Sequence, residues 1–445
     1  MNTSRLRADL TPLRESRDFR LLYTSRTITG LGTQATEVAL LVQARQLTGS
    51  TFAVGLLGAV EVVPLVVFGL YGGVLADRFD RRRLMVWCEA ALGVCAALLM
   101  LNALAARPVV WPLYAVAGLM MATAALQRPS LEASVPRVVP RDQLIAAGAL
   151  MSMSMNVNVI AGAALGGVLA AGPGPQFVYG LDTVSFVASF CFLWLVRPLP
   201  GATGEHTPAG PGLQAGGGRR TGAGAERGGG KSRARGRGKH SILDGLAYAR
   251  GRPDLIGSYL ADLAAMTLSY PAALFPFMAA ELHADWAVGL MFAAPSVGAI
   301  AVTMVSGWMS QVRRHGLAIA VAAATWGLLI TGFGLAPDIG VALACLVLAG
   351  AADMVSGIFR GTLWNQTIPD ALRGRLAGVE LLSYGIGPSA GQIRAGAVAG
   401  VTSARFSIVS GGLLCVGAVG LVCCALPAFT HYRAEAGQSP AEQPG

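Results

Sequence analysis

The stretch GGVLADRFDRRRLM, residues 72–85, places six charged side chains among the seven residues 77–83. The residues on either side of it, 51–76 and 84–106, are almost wholly apolar. A helix needs roughly 20 mostly apolar residues to cross the hydrocarbon of a bilayer, and each flanking run is long enough. The stretch therefore predicts two membrane-spanning helices joined by a short charged loop at a membrane surface.

The composition of the whole chain extends this prediction. Of its 445 residues, 53% are hydrophobic and only 13% are charged, and the mean hydropathy is +0.55, which is far more apolar than a soluble globular protein. We interpret the chain as an all-α integral membrane protein with twelve transmembrane helices. The twelve apolar runs are 20–45, 52–76, 84–106, 110–127, 144–171, 176–196, 255–280, 287–310, 317–336, 339–363, 376–400 and 404–428.

The distribution of basic residues predicts the orientation in the membrane. Basic residues are retained on the cytoplasmic side. If the N-terminus is cytoplasmic, the predicted external connections hold only three of the 34 Lys and Arg residues, namely Arg45, Arg107 and Arg405. The first 20 residues contain five arginines and no apolar core of the signal-peptide type. We predict a multi-pass protein of the plasma (inner) membrane with both termini in the cytoplasm.

Several functional classes find no support in the sequence. The net charge of +10 is mostly explained by topology, so it does not indicate nucleic-acid binding. The seven cysteines form no CxxC pair and the five histidines are dispersed, which predicts neither a metal site nor a disulfide framework. The segment AERGGGKS, residues 225–232, lacks the first glycine of a phosphate-binding loop. We expect no cofactor, no ATP-driven pump and no enzymatic activity.

A polar segment divides the chain into two parts. Residues 197–241 consist mainly of Gly, Arg, Ala and Lys, a composition that cannot bury enough apolar surface to become ordered. We predict an N-terminal six-helix half over 1–196, a basic cytoplasmic linker without fixed structure over 197–241, and a C-terminal six-helix half with a short cytoplasmic tail over 242–445.

The two halves repeat each other in sequence. Gly73 and Asp77 stand four residues apart at the end of the second run, as do Gly307 and Gln311 at the end of the eighth, and arginines follow both pairs. Such duplication predicts two pseudo-symmetric halves, the internal symmetry from which many secondary transporters are built.

The stretch after the second predicted helix resembles the signature of the major facilitator superfamily at that position, which is GxxxDRxGRR. Five residues match that signature, while Asp80 replaces its second glycine; the five are Gly73, Asp77, Arg78, Arg81 and Arg82. The resemblance implies that they form a conformational gate whose charge contacts change as the two halves move. The alternative is that the arginines only follow the positive-inside rule.

A closer resemblance lies in RGTLWNQTIPDALRGRLAGVELLSYGIGPSAGQIRAG, residues 360–396. This stretch is similar to the enterobactin exporter branch of the superfamily. The resemblance implies export of a catecholate siderophore, and we assign Arg360, Glu380, Gly387 and Pro388 to the gate of the second half. The segment GAALGG, residues 162–167, resembles the antiporter motif of the fifth helix without its proline. More general neighbours in the superfamily export macrolides and other drugs, which is the alternative function.

Ionisable residues inside the spans are candidates for the substrate and proton pathway. Arg26 and Glu37 are eleven residues apart, three helical turns plus about 20°, so they share a helix face on which Gln34 also lies. We predict that this face lines a central cavity, with Glu37 as a proton carrier and Arg26 as a contact for a phenolate or carboxylate. A structural charge network is the alternative.

Other polar residues within the spans complete the predicted pathway. A carboxylate in a low-dielectric site binds a proton more readily than one in water, which a proton-coupled step requires. A thioether and amide patch on the fifth helix suits a large ligand, although ordinary helix packing explains it equally well. The further candidates are Glu61, Asn156, Asp262, Asp353 and Arg394.

These observations together predict a secondary active transporter. We expect it to export a siderophore from the cytoplasm by proton antiport and alternating access, with broad drug efflux as the alternative. The expected partners are a small-molecule substrate, protons and the lipid bilayer, and the expected oligomeric state is a monomer.

Overall fold

The computed structural model describes residues 9–78, 80–198, 252–367 and 370–432, and for residues 69–78, 365 and 370–384 it describes the backbone only. The described part is helical and contains no strand. Its principal helices are α1 (Arg17–Thr48), α2 (Thr51–Arg78), α3 (Arg81–Leu104), α4 (Trp111–Val138), α5 (Leu144–Val157, Asn158–Gly162 and Ala163–Ala171, joined), α6 (Pro175–Leu195), α7 (Pro253–Ser269 and Phe275–Glu281), α8 (Val288–Met304), α9 (His315–Leu335), α10 (Ile339–Thr367), α11 (Asp370–Val401) and α12 (Ala404–Ala425).

Each predicted apolar run coincides with one of these helices. Nine of the helices in the described ranges are long and apolar enough to cross a membrane. The other three, α1, α4 and α11, are 32, 28 and 32 residues long but more polar. They carry residues such as Arg26, Gln127 and Arg394 and pack within the same bundle.

Side-chain caps explain where several helices begin. The Ser16 hydroxyl accepts a hydrogen bond from the Phe19 amide at 3.1 Å, and Ser403 caps α12 through the Phe406 amide at the same distance. The Asp80 carboxylate accepts the amide of Arg83 at 3.0 Å. Short side chains of this kind satisfy amides that have no partner within the first turn. Asp80, which departs from the superfamily signature, is therefore the N-cap of α3.

Several helices differ from the predicted runs, among them α4, α7 and α8. α4 continues to Val138, beyond the predicted end at 127, because a helix can extend past the hydrocarbon once polar residues face water. α8 ends at Met304, and a short 3₁₀ turn, Ser306–Gln311, follows it. α7 is interrupted between Ser269 and Phe275, where Pro271 lacks the amide hydrogen that a continuous helix needs.

The helices form two groups that meet along two seams. In the first group α1 packs against α6 and α2 against α4; in the second group α9 packs against α10 and α12, and α7 against α11 and α12. One seam joins α2 to α11, and the other joins α5 to α8. Glycines allow the close approach at both seams. A Cβ atom added to Gly55 would lie only 2.6 Å from the Gln392 carbonyl oxygen, and one added to Gly167 only 2.1 Å from the Gly289 amide nitrogen. Both distances are too short for any side chain.

Two sides of the bundle are distinguished below. We call the side where α1 begins the proximal side and the side where α1 ends the distal side. Both ends of the described chain lie on the proximal side, since the short helix Pro427–His431 inserts Phe429 between Gly257 near the start of α7 and Gly316 near the start of α9. By the sequence prediction the proximal side is cytoplasmic. Most of the predicted linker, 197–241, lies outside the described residues, so the domain boundaries remain predictions.

Candidate functional site

Gln34 and Glu37 lie together on one face of α1. The Gln34 amide donates to the Glu37 carboxylate at 2.7 Å. Glu37 is exposed to solvent-accessible space although protein atoms surround it closely. Glu37 therefore faces space within the bundle, and the expectation that this face of α1 lines a central cavity stays a prediction.

Three carboxylates lie within electrostatic range of one phenol. Tyr270 of α7 lies within electrostatic range of Glu37 on α1, Glu61 on α2 and Asp353 on α10, and Glu37 and Glu61 also interact with each other. Glu61, Tyr270 and Asp353 are each partly accessible to solvent. We call these four residues the acidic cluster. It brings together three residues predicted separately, and it draws them from both halves of the molecule.

The break in α7 determines where Tyr270 lies. The first segment of α7 ends at Ser269, and Tyr270 adopts an extended conformation before Pro271. α11 approaches closely here because a side chain on Gly391 would lie 2.9 Å from the Tyr270 Cβ and 2.3 Å from the Met266 carbonyl. The interruption therefore carries the phenol to the seam between the halves.

Arg26 belongs to a different neighbourhood from the acidic cluster. It interacts electrostatically with Glu89 of α3 and Arg128 of α4, and its carbonyl accepts the Asn158 side-chain amide at 3.3 Å. The Glu89 carboxylate is 1% exposed and accepts the Gln127 amide at 2.8 Å. Sequence reasoning did not identify Glu89. The prediction that Arg26 and Glu37 act together from one helix face stays a prediction.

Asp262 and Arg360 form a buried ion pair between α7 and α10, with side chains that are each 3% exposed. The sequence assigned Asp262 to the pathway and Arg360 to the gate, whereas the structure joins them to each other. Beside them the Trp364 indole N–H donates to the Ser258 hydroxyl at 3.0 Å. The Trp364 ring also stacks on the Tyr259 ring, with the ring centroids 4.5 Å apart. This arrangement ties α7 to α10 toward the proximal side.

Asn156 and Arg394 are not brought to the acidic cluster by the contacts of the described residues. The Asn156 amide donates to the carbonyl of Ser152 on its own helix at 2.9 Å. The Arg394 guanidinium donates to the Ser407 carbonyl of α12 at 3.3 Å and lies against Gly411. Their predicted roles in the pathway remain predictions.

Two arginines of the opening stretch, Arg81 and Arg82, bind backbone carbonyls within their own half. Arg81 is 7% exposed and donates to the Ala133 carbonyl of α4 at 3.0 Å. Arg82 donates to the carbonyls of Leu193 and Trp194 at the end of α6, and its guanidinium lies 5.5 Å from the Trp194 ring centroid. Cations at helix C-termini complement the free carbonyls and the helix dipole. The loop is thus anchored to α4 and α6.

The other predicted gate residues are only partly described. The predictions for Gly73, Asp77, Arg78 and Glu380 concern side chains outside the described set. Gly387 and Pro388 lie on the part of α11 that faces α7, where a side chain on Gly387 would meet that of Met266 at 2.9 Å.

On the distal side the two halves are joined by polar contacts. Arg45 at the end of α1 forms an ion pair with Asp285 at 2.9 Å, and its guanidinium lies 5.7 Å from the Phe277 ring centroid. The Thr51 hydroxyl donates to the Gly396 carbonyl at 3.1 Å. A cavity of about 510 Å³ lies beside Arg45 and Asp285, away from the acidic cluster. In the described residues the distal ends of the halves are therefore closed against each other.

Comparisons with known proteins agree with this architecture. A family model described as transmembrane secretion effector matches residues 7–204. The enterobactin exporter EntS of Citrobacter koseri is 28% identical over 420 residues, 94% of each chain. EntS of Escherichia coli strain K12 is 26% identical over 440 residues, 97% of each chain.

Solved structures of low sequence identity share the fold. The nucleoside transporter NupG has a TM-score of 0.69 at 11% identity, covering 94% of this chain and 100% of NupG. A bacterial homologue of the human lysosomal transporter Spinster, in an inward-facing and unoccupied conformation, has a TM-score of 0.68 at 14% identity, with coverages of 94% and 98%.

The helical bundle and its two seams have the fold of the major facilitator superfamily, which the solved transporters share. Within that superfamily the chain is similar to the enterobactin exporters along nearly its whole length. Both resemblances predicted from the sequence are thereby confirmed.

Proposed function

We propose that this transporter exports a catecholate siderophore from the cytoplasm in exchange for protons. The similarity to proteins named enterobactin exporters supports the cargo. The observation that carries the mechanism is the acidic cluster, because its carboxylates come from both halves and are accessible to solvent within the protein. Carboxylates held between two moving halves can exchange protons with one side and then with the other.

Three members of the acidic cluster have a part in this proposal, and so does Arg26, which lies outside the cluster. Glu37 and Glu61 bind protons that enter from the distal side and release them to the cytoplasm. Arg26 attracts the anionic cargo electrostatically, and the Tyr270 ring offers an aromatic surface on which a catechol can stack. Release of the proton and binding of the cargo both occur when the cavity opens to the cytoplasm, which makes the two fluxes opposite in direction.

The two seams support the proposal of alternating access. The distal contacts of Arg45 with Asp285 and of Thr51 with Gly396 close the outer end of the cavity. Parting of these contacts while the proximal ends approach each other moves the cavity opening to the outside. We include in this proposal the predicted halves, the cytoplasmic linker, cytoplasmic termini, plasma-membrane location and monomeric state.

Reconstituted vesicles provide the direct test. Enterobactin uptake is measured in vesicles with an acidic lumen, in which outward proton flow drives inward cargo movement. We expect uptake by the wild-type protein that a protonophore abolishes, and loss of acid-driven uptake in the Glu37→Gln variant. Asp142→Asn, which removes an exposed carboxylate from the same half, is the matched control. Absence of acid-driven uptake by the wild-type protein would contradict proton coupling, and acid-driven uptake of a macrolide but not of enterobactin would favour drug efflux.

A further inference from the structure

The face of α1 that points away from the cavity carries a second set of polar residues. These lie against α6, and all of them are buried. We call this set the polar column. From the proximal to the distal side, Ser25 bonds to Ser189, Asp182 bonds to both Thr36 and Ser185, and Gln43 bonds to Tyr179. The column runs parallel to the cavity but is separated from it by α1 itself.

Asp182 occupies the middle of the column and is fully buried. Its carboxylate accepts a hydrogen bond from the Thr36 hydroxyl at 2.7 Å. The Ser185 hydroxyl shares its one hydrogen between the Asp182 carbonyl at 2.7 Å and the carboxylate at 3.1 Å. Gly32 makes room for it, since a side chain there would lie 2.2 Å from Asp182 Oδ1. In the described residues no Lys, Arg or His lies within ion-pair distance of this carboxylate.

Glu89 is a second buried carboxylate at the edge of the column. Its Oε1 accepts the Gln127 amide at 2.8 Å, while its Oε2 receives no hydrogen bond of ordinary geometry from the described residues. The Ser189 hydroxyl, which bonds to Ser25 at 2.5 Å, lies close to Glu89. A buried carboxylate oxygen beside a hydroxyl can accept a proton or a hydrogen bond without rearrangement of the helices.

The charge balance of this region is unusual for the interior of a membrane protein. An ionised carboxylate buried without a cation is costly, and hydroxyl donors offset only part of that cost. Asp182 interacts electrostatically with Glu89 on α3 and with Glu37 on the cavity face of α1. Glu89 faces Arg26 from α1, and Arg128 of α4 acts on Arg26 in turn. Three carboxylates, those of Asp182, Glu89 and Glu37, thus interact in this region, against two guanidinium groups, those of Arg26 and Arg128.

We propose that Asp182 and Glu89 form a second proton-binding site, separate from the cargo cavity and connected to it through Thr36 and Glu37. The inference rests on the proton coupling proposed above and names a further place where the coupled proton resides. Because the site lies behind α1, a proton held there does not compete with cargo for space in the cavity.

Protonation of Asp182 is balanced within its hydrogen bonds. The carboxylate gains one proton and becomes a carboxylic acid that donates to the Thr36 oxygen. The Thr36 hydroxyl then donates to a carbonyl one turn earlier on α1, a bond that threonines in helices commonly make. Loss of the proton reverses both changes. Thr36 and Glu37 are adjacent on α1, and Asp182 interacts electrostatically with Glu37. A change in the protonation state of Asp182 therefore changes the electrostatic potential at the acidic cluster.

Two transport modes separate this role from a structural one. Exchange of enterobactin across vesicles without a pH gradient reports on cargo binding and conformational cycling alone. Accumulation driven by an acidic lumen reports on coupling, and a gradient of about one pH unit can sustain about a tenfold cargo gradient per coupled proton. We expect Asp182→Asn and Glu89→Gln to keep exchange within about twofold of wild type and to lose the roughly tenfold accumulation. Asp182→Glu should restore accumulation, and the control Asp142→Asn should keep both modes.

The outcomes are distinguishable. Full accumulation by Asp182→Asn, when the wild-type protein accumulates cargo, would overturn this inference but leave the proposed function intact. Loss of exchange together with accumulation would also overturn it, since that result indicates a structural role. No accumulation by the wild-type protein would overturn proton coupling itself.

Thr36→Val, which keeps the Asp182 carboxylate, provides a second test. We expect a shifted pH midpoint of accumulation with exchange retained. An unchanged midpoint would contradict the connection through Thr36.

Discussion

The two halves bury charge in different ways. In the N-terminal half, Asp182 lies between α1 and α6 with only hydroxyl groups bonded to it. In the C-terminal half the corresponding helices are α7 and α12, and the residues of α12, Ala404–Ala425, include no acid. That half instead buries Asp262 in an ion pair with Arg360 of α10. A neutralised pair fixes two helices together, whereas a carboxylate with hydroxyl partners can gain and lose a proton.

The ion pair of the C-terminal half should give the largest effect on stability. Arg360→Leu leaves the Asp262 carboxylate buried without its cation, a situation that typically costs about 3–5 kcal/mol. We expect a large fall in the thermal unfolding temperature of the purified protein in detergent. The double variant Arg360→Leu with Asp262→Leu should recover most of the loss, and an unchanged unfolding temperature in the single variant would show that the pair is not structural.

The carboxylate of the N-terminal half should tolerate neutralisation better. Asp182→Asn keeps the size of the side chain and removes only the charge, so we expect a stability change of about 1 kcal/mol or less. The same unfolding assay measures it. A loss as large as that of Arg360→Leu would remove the contrast between the two halves.

Single hydroxyl groups offer a finer comparison of the two interfaces. Ser25→Ala breaks the contact with Ser189, and Ser407→Ala breaks the contact with the Ala395 carbonyl of α11. Hydrogen bonds between transmembrane helices average about 0.6 kcal/mol, so we expect small and similar losses. A distinctly larger effect at Ser25 would indicate that the polar column is cooperative.

The distal ion pair should have the smallest effect on stability. The side chains of Arg45 and Asp285 are 27% and 60% exposed, and exposed pairs contribute about 0–1 kcal/mol. Arg45→Gln should instead favour opening of the distal side, so that a cysteine introduced at Val42, which lines the distal cavity, reacts faster with an external thiol reagent. The control is Arg107→Gln, another exposed arginine predicted on that side. Equal rates in both variants would show that the pair does not hold the distal side closed.

Hydropathy predicted the helices well because each span must satisfy its own backbone within the bilayer. The pairing of Gln34 with Glu37 also followed from one sequence, since both lie on one helix face. The break in α7 has a local signal in Tyr270 and Pro271 that was available but unused. Asp80 as an N-cap was likewise readable from its position before α3.

Contacts between distant segments could not be predicted in this way. The pairing of Asp262 with Arg360 and the hydrogen bond from Gln127 to Glu89 join residues on different helices, and periodicity specifies which face a residue occupies but not which helix it meets. Asp182 of α6 was not among the residues predicted for the pathway. Its spacing of three and seven residues from Ser185 and Ser189 is the signal that could have indicated a polar stripe on α6.

The short π-helical turn in α5, Asn158–Gly162, bears on the residue count of that helix. Ser154, Asn158, Gly162 and Gly166 are spaced by four, yet all of them lie against α1. In an ordinary α-helix a repeat of four drifts around the axis by about 40° per step, and the turn, whose hydrogen bonds span one residue more, offsets part of that drift. α5 is thus one residue longer than a straight helix with the same contacts, and a chain without one residue of the turn would present the same side chains at the ordinary spacing of four, three and four.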